Sequence, residues 1–242
     1  NPNRRANSDV VRPILNAAQV VQRLPHRWVV FFPSHFGLEE ASLYDGPFAF
    51  VVSEVRPVRE RNNRKAYRER WWIHGESRPQ MIGAIAPLDR YLGTQRIGKH
   101  RLFFWIDSAV IPSDQIVVFA RRDDFSLGIL QARPHEVWAL RLGTRLETRP
   151  RYTPTTCFET FPFPEPTDVQ QNAIAKAAKE LDELRNNWLN PPEWTQAETL
   201  EFPGSAAGPW KRYVDSGTVD DRGIGTVRYP RLVPKDAECA KQ

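Results

Sequence analysis

Three short runs decide how this chain reads: Arg101-Leu102-Phe103-Phe104-Trp105-Ile106, Ile116-Val117-Val118-Phe119-Ala120 and Ser126-Leu127-Gly128-Ile129-Leu130-Gln131. Each is rich in β-branched, aromatic or other apolar residues, and Pro112, Asp114 and the Asp123-Asp124 pair stand between them as turn formers. Residues 82–132 are therefore expected to form a β-rich unit with a mixed or antiparallel sheet.

Working outward, Trp28-Val29-Val30-Phe31-Phe32 reads as a buried strand ended by Pro33. Leu38–Tyr44 reads as a helical turn with Glu39 and Glu40 near its positive end. Downstream, Val137, Trp138 and Leu140 give helical spacing to Pro134–Leu142, with Gly143 as its stop. Asp168 is placed to cap a longer helix carrying Val169, Ile174, Ala177, Leu181 and Leu184, which ends near Trp188 ahead of Pro191-Pro192. Beyond Trp194 no periodicity persists, and the tail is expected as extended loop with one short strand at Gly225–Arg231. The expectation is an α+β fold, with a β-rich domain over residues 1–165 and a helical, loop-rich extension over 166–242.

Composition narrows the function. Arginine dominates the basic residues: residues 1–155 hold 24 Lys or Arg against 15 acids, and only Lys65 and Lys99 among them are lysine, whereas 156–242 hold 10 against 14. The guanidinium fork suits phosphates and guanine edges, so the basic portion points towards nucleic acid. Twenty-one prolines against 13 glycines promise many loops. No run approaches the roughly 18–20 apolar residues of a membrane span, and Asn1–Arg5 has no signal-peptide layout, so a soluble cytoplasmic protein without a membrane partner is expected. The chain does not begin with methionine and is expected to be a fragment of a longer polypeptide or a processed chain.

Catalytic signatures are missing from the sequence. Gly223-Ile224-Gly225 has no apolar strand before it and no helix after it, so it reads as a turn and not as a cofactor loop. Asn190-Pro191-Pro192-Glu193 resembles the start of an amine-holding Asn-Pro-Pro-aromatic motif, but it lacks the aromatic residue and follows a helix, where proline is a stop. Cys157 has no helix N-terminus to activate it for a pairing with His135; Cys157 and Cys239 read as free thiols. His26, His35, His74, His100 and His135 show no metal-ligand spacing. No catalytic residue, metal or cofactor is expected in this stretch of chain.

What remains is polar recognition. Arg56, Arg59, Arg61, Arg64, Lys65, Arg68 and Arg70 concentrate charge before Trp71-Trp72, and in a continuous helix 61, 64, 65 and 68 would share a face. Such a cluster suits phosphates, or is a solvated face; the two tryptophans suit base stacking, or a core. Arg96, Lys99 and Arg101 in Gln95–Arg101 suit a loop on a phosphate backbone, or a solubilising hairpin end. In Leu146–Tyr152, an extended chain would put Glu147, Arg149 and Arg151 on one side, where a carboxylate can accept from cytosine and arginine can donate twice to guanine. The alternative is a charged strand with a local Glu147–Arg149 pair.

Asn7-Ser8-Asp9-Val10-Val11-Arg12-Pro13, Lys65-Ala66-Tyr67-Arg68-Glu69-Arg70-Trp71-Trp72, Lys99-His100-Arg101 and the block Arg149–Pro164 together resemble the MmeI-like DNA methyltransferases. The likeness runs from Asn7 to at least Pro192. It implies a target-recognition region, residues 1–165, with a C-terminal helical part, belonging to an adenine-specific methyltransferase of a restriction-modification or related defence system. The resemblance further implies double-stranded DNA as partner, base reading by Glu147, Arg149 and Arg151, and a catalytic domain elsewhere in the parent chain that binds S-adenosylmethionine. Two family features differ: Phe32–Gly37 replaces an Ile-Asp-Phe-Gly-like stretch, and no Leu-Thr-x-Leu-Tyr-Asn segment follows Lys235. The rival reading is a protein-interaction module of a restriction or phage-defence complex, docking through the tryptophan pair and prolines.

Overall fold

A computed structural model describes residues 2–22 and 27–241; His26 lies outside them. The chain divides into two units, each assembled from separated segments. One comprises Asn1–Ile14, His26–Ala86 and Ala197–Arg231, the other Leu15–Pro25, Pro87–Gln196 and Leu232–Gln242.

In the first unit, Val11–Leu15 pairs antiparallel with Arg27–Val30, Val11 facing Val30. The second strand is shorter and wetter than its apolar sequence suggests: it stops at Val30, and Trp28 is exposed. Phe32, beyond its end, is the fully buried residue and packs with Val10, Phe36, Ala41, Tyr44, Val51, Trp71 and Ile73. The helical turn appears as Leu38–Ser42. From Asp45 the chain stays helical to Glu60, with a wide π turn over Val51–Val55. Pro57 has no N–H to continue the α ladder, and the Arg56 N–H reaches back to the Val51 carbonyl.

The C-terminal tail departs from expectation. Thr195–Ser205 and Ile224–Pro234 are two paired eleven-residue strands, so the loop expectation fails for the first and understates the second. The first run carries Glu198, Glu201 and Pro203 and few β-branched residues, so its strand character comes from its partner and not from local preference. Arg231 pairs with Glu198 at 2.8 Å and Arg228 with Glu201 at 3.2 Å. Trp210, fully buried, donates its indole N–H to the Ser8 carbonyl at 2.8 Å, and Asp9 accepts from the Ser205 N–H at 3.0 Å.

The second unit centres on an antiparallel three-stranded sheet in which Arg90–Gln95 lies between Phe103–Asp107 and Ile116–Phe119. The outer strands match two of the three deciding runs. The third, Ser126–Gln131, is helix: Asp124–Gln131 is capped by Asp123, whose carboxylate accepts from the Ser126 N–H at 2.7 Å. A six-residue apolar run cannot separate strand from helix by period, and here the cap and the packing decide. The central strand left little trace because Gly93 interrupts it. A Cβ there would lie 2.5 Å from Ile106 Cδ1, so neighbouring side chains fill the space a side chain would use.

Two further helices complete this unit. Arg133–Leu142 is capped at its end by Gly143, as its sequence suggests. Asp168–Leu189 begins one residue earlier than expected in its capping: Thr167 forms the cap with Gln170, and Asp168 is the first helical residue. The long helix meets Asp124–Gln131 at Gly128, where a Cβ would be 2.6 Å from Ile174 Cγ2. Leu92, Phe103, Phe119, Leu130, Tyr152 and Cys157 form the core.

Candidate nucleic-acid interface

The end of the Arg133–Leu142 helix launches the candidate reading hairpin. A Cβ on Gly143 would lie 2.6 Å from the Ala139 carbonyl and 2.8 Å from that of Arg151, so glycine is what lets the chain fold back here. Thr144–Leu146 then pairs antiparallel with Arg149–Arg151 in the register Thr144↔Arg151, Arg145↔Pro150, Leu146↔Arg149. Residues opposite each other share a face, so Arg149 and Arg151 stand together with Thr144 and Leu146.

The expected alternation through residue 147 is corrected here. Glu147 sits in the two-residue turn with Thr148, in the left-handed region at φ 58°. It reaches Arg149 at 2.9 Å, and both side chains are exposed. The structure thus brings Glu147 and Arg149 together as an ion pair at a hairpin tip, with Arg151 exposed at the hairpin base. An exposed pair of this kind contributes only about 0–1 kcal/mol, so little opposes its opening towards a better partner. Holding a non-glycine residue left-handed costs on the order of 1–3 kcal/mol.

The Gln95–Arg101 loop lies alongside this hairpin. The Tyr152 N–H donates to the Arg96 carbonyl at 2.7 Å, the Gly98 N–H donates to the Pro150 carbonyl at 3.3 Å, and Ile97 bridges to Arg151. Two candidates separated by about fifty residues in sequence are therefore one ribbon. Arg96 is half-buried, while Lys99 and His100 are exposed. Arg145 is also exposed, on the hairpin face opposite Arg149 and Arg151; only the cross-strand register reveals that position.

Arg101, expected on phosphates, is buried instead. Its guanidinium donates to Thr94 Oγ1 at 3.1 Å, to the Gln95 carbonyl and to the Pro150 carbonyl at 3.2 Å, and lies over the Tyr152 ring at 5.1 Å. Burial holds its pKa below the ordinary arginine value, countered by Tyr152 and Cys157. Its role is to tie loop to hairpin. Beneath it, Tyr152 meets His135 Nε2 at 3.1 Å, and His135 Nδ1 meets the Leu130 carbonyl at 2.8 Å. The carbonyl requires Nδ1–H, so the ring accepts at Nε2 from the tyrosine hydroxyl. Burial keeps His135 below its usual pKa. Cys157 is fully buried with its thiol against the Ala139 carbonyl, which gives no access for chemistry with His135.

In the first unit, the Arg56–Arg70 cluster does not form one continuous helix. Arg56–Glu60 and Lys65–Glu69 are separate, because Asn62 accepts from the Arg64 N–H at 2.9 Å and closes a turn between them. Arg61 falls outside both helices, so the shared face of 61, 64, 65 and 68 is not made. Arg56 pairs with Glu60 at 2.7 Å and Lys65 with Glu69 at 3.6 Å. Arg68 donates to the carbonyls of Asn62 and Asn63, and Arg59 lies over the Tyr67 ring at 4.5 Å. Arg70 donates to the Ser34 carbonyl. Trp71 is buried and Trp72 donates to the Phe36 carbonyl at 3.1 Å; both serve the core and are not stacking platforms.

Among the described residues no group of His, Cys, Asp and Glu could hold a metal, and no helix is long and apolar enough to cross a membrane. Gly223 occupies a left-handed turn ahead of a strand, and the helix before Asn190 ends at Leu189, so both glycine pair and Asn-Pro-Pro serve chain reversal.

Comparison with known proteins adds three findings. A family model described as MmeI, target recognition domain, matches residues 3–165. DNA methyltransferase A of Bacillus subtilis (strain 168) is 37% identical over 75 residues, 31% of this chain and 8% of that protein. The solved structure of the Type IIL restriction-modification enzyme MmeI in complex with DNA superposes with a TM-score of 0.58 at 21% identity, over 78% of this chain and 24% of that one. The chain thus spans a small part of each protein it matches.

Proposed function

The chain belongs to the MmeI target recognition domain family, and from that premise we propose that it recognises double-stranded DNA sequence for an adenine-specific DNA methyltransferase of a restriction-modification system. The observation that carries this reading is the Glu147–Arg149 pair, held at a strained hairpin tip beside Arg151 and flanked by the Arg96–Lys99 loop. The left-handed Glu147 closes the two-residue turn and sets the acid and its arginine at an exposed tip as a weak surface pair, for which base edges offer both partners bidentate contacts in exchange.

In this reading Glu147, Arg149 and Arg151 select bases, while Arg96, Lys99 and, within the Arg56–Arg70 cluster, Arg64 and Arg70 hold phosphates; Arg56, Lys65 and Arg68 are already engaged by carboxylates or backbone carbonyls, and Arg59 by the Tyr67 ring. Base contacts give specificity and phosphate contacts give salt-dependent affinity. Residues 1–165 form the recognition domain and 166–242 its extension. S-adenosylmethionine and the methyl transfer belong to a catalytic domain elsewhere in the parent polypeptide, in the cytoplasm; the glycine pair near Ile224 precedes a strand and does not fit a cofactor-cradling turn. Burial of Trp71 and the Trp72 bond to the Phe36 carbonyl weigh against the tryptophan pair as the docking element of the rival interaction-module reading.

The test is selection from a randomised duplex pool across a salt series, comparing the wild type with Glu147→Ala and Arg149→Ala. Enrichment of one short sequence, relaxed at one position by the variants, is expected. Salt-dependent binding without enrichment would refute base reading, and no binding would refute the DNA assignment.

A further inference from the structure

We propose that a cleft beside the Lys65–Glu69 helix, lined by Arg64, Tyr67, Arg70, Gly75 and Ser77, is a discrete seat for one phosphate group. The proposed DNA function bears only on where that phosphate comes from. The cleft holds about 260 Å³.

Its geometry separates two cations from the rest of the cluster. Tyr67 abuts Gly75 so closely that a Cβ there would lie 1.8 Å from Cε1, and the Arg59 guanidinium covers the ring at 4.5 Å. The phenol is thereby fixed in place, with neither ring movement nor base stacking open to it. Arg64 donates through Nη1 to the Tyr67 hydroxyl at 3.3 Å, so that oxygen is used as an acceptor and its proton has no acceptor among the described residues. The remaining Arg64 donors are likewise unpartnered among the described residues. Arg70 anchors one Nη on the Ser34 carbonyl and keeps its other donors, and the Ser77 hydroxyl has no described partner. The acid in the lining, Glu76, is answered by Arg78 at 3.1 Å.

The wall therefore offers two guanidinium groups and two hydroxyls, an arrangement of donors that suits a tetrahedral oxyanion. Arg56 and Lys65, by contrast, already face carboxylates, and Arg68 is taken up by two backbone carbonyls. On this account the cluster is not a uniform basic face: it has one seat, and most of the surrounding charge is structural.

Two measurements test the seat. Inorganic phosphate titrated into the whole chain should shift the Gly75 amide and Tyr67 ring resonances saturably, and Gly75→Ala, which displaces the tyrosine ring, should abolish the Tyr67 shifts. In duplex binding across a salt series, Arg64→Gln and Arg70→Gln should each lower the slope of log affinity against log salt by about 1, and Arg61→Gln, an exposed control outside the cleft, by much less. Saturable phosphate shifts in a chain that binds no duplex would keep the seat, as one for free phosphate, and sink the DNA reading. Equal slope losses at Arg61 and Arg64, or no phosphate shift at Gly75, would overturn it. Arg64→Gln is an exposed change, so a folding failure of Gly75→Ala leaves the test intact.

Discussion

Replacing Arg101 by methionine should unfold the junction between loop and hairpin without touching any exposed charge. The guanidinium donates to the buried carbonyls of Gln95 and Pro150 and to Thr94 Oγ1. Each stranded carbonyl costs about 1–3 kcal/mol, and the lost contact with the Tyr152 ring about 1–2 kcal/mol. Thr94 keeps its own bond to the Leu102 carbonyl and adds little. Removing a buried, unpaired cation recovers part of its desolvation cost, so the net loss is expected at about 2–4 kcal/mol. Urea denaturation gives this as a fall in midpoint at unchanged slope. Arg101→Lys, which retains charge but not the fork, should lose more than half as much. A loss under about 0.5 kcal/mol for the methionine variant would refute the anchoring argument. So would unchanged stability accompanied by a salt slope reduced by about 1, since that is the behaviour of a phosphate contact.

Four other outcomes follow from the same geometry. Gly143→Ala should destabilise by more than about 2 kcal/mol in a thermal melt, because two backbone oxygens stand where the Cβ would go. Gly83→Ala, in a helix with open space around that position, should instead stabilise by about 0.5–1 kcal/mol. Glu147→Gly relieves the left-handed backbone and should raise the urea midpoint by the equivalent of about 1 kcal/mol while erasing sequence preference; a fall in stability would show that the turn is unstrained. His135 has its pKa lowered by burial in the folded chain, so the unfolded state takes up the proton first. Its stabilisation is complete above the unfolded pKa of about 6.5 and is lost as pH falls through the lower folded value, a slope that urea midpoints between pH 8 and 5 should show and His135→Gln should flatten.

Much of the site's chemistry was legible from residue types, and its geometry was not. Glu147, Arg149 and Arg151 stand out from residue chemistry, yet the turn at Glu147 and the pairing with Gln95–Arg101 arise from backbone bonds between distant segments. Arg101 looked no different from Arg96 in a basic loop. It is buried because the Arg90–Gln95 strand and the Pro150 carbonyl close over it, and no local pattern records that.

By itself the sequence determined the features that rest on local physics: the proline and glycine stops, the Arg133–Leu142 and Asp168–Leu189 helices with their 3.6-residue spacing, two of the sheet strands, and an arginine-rich basic portion over residues 1–155. Tertiary structure decided the rest. It made Ser126–Gln131 a helix through an Asp123 cap and a glycine contact with Ile174, and made Thr195–Ser205 a strand through its partner. It also sorted the arginines into anchors, ion pairs and free donors. Helical period and capping act within a few residues of chain and so can be read from it, whereas burial, strand pairing and the use of a guanidinium's donors depend on which distant groups arrive beside it.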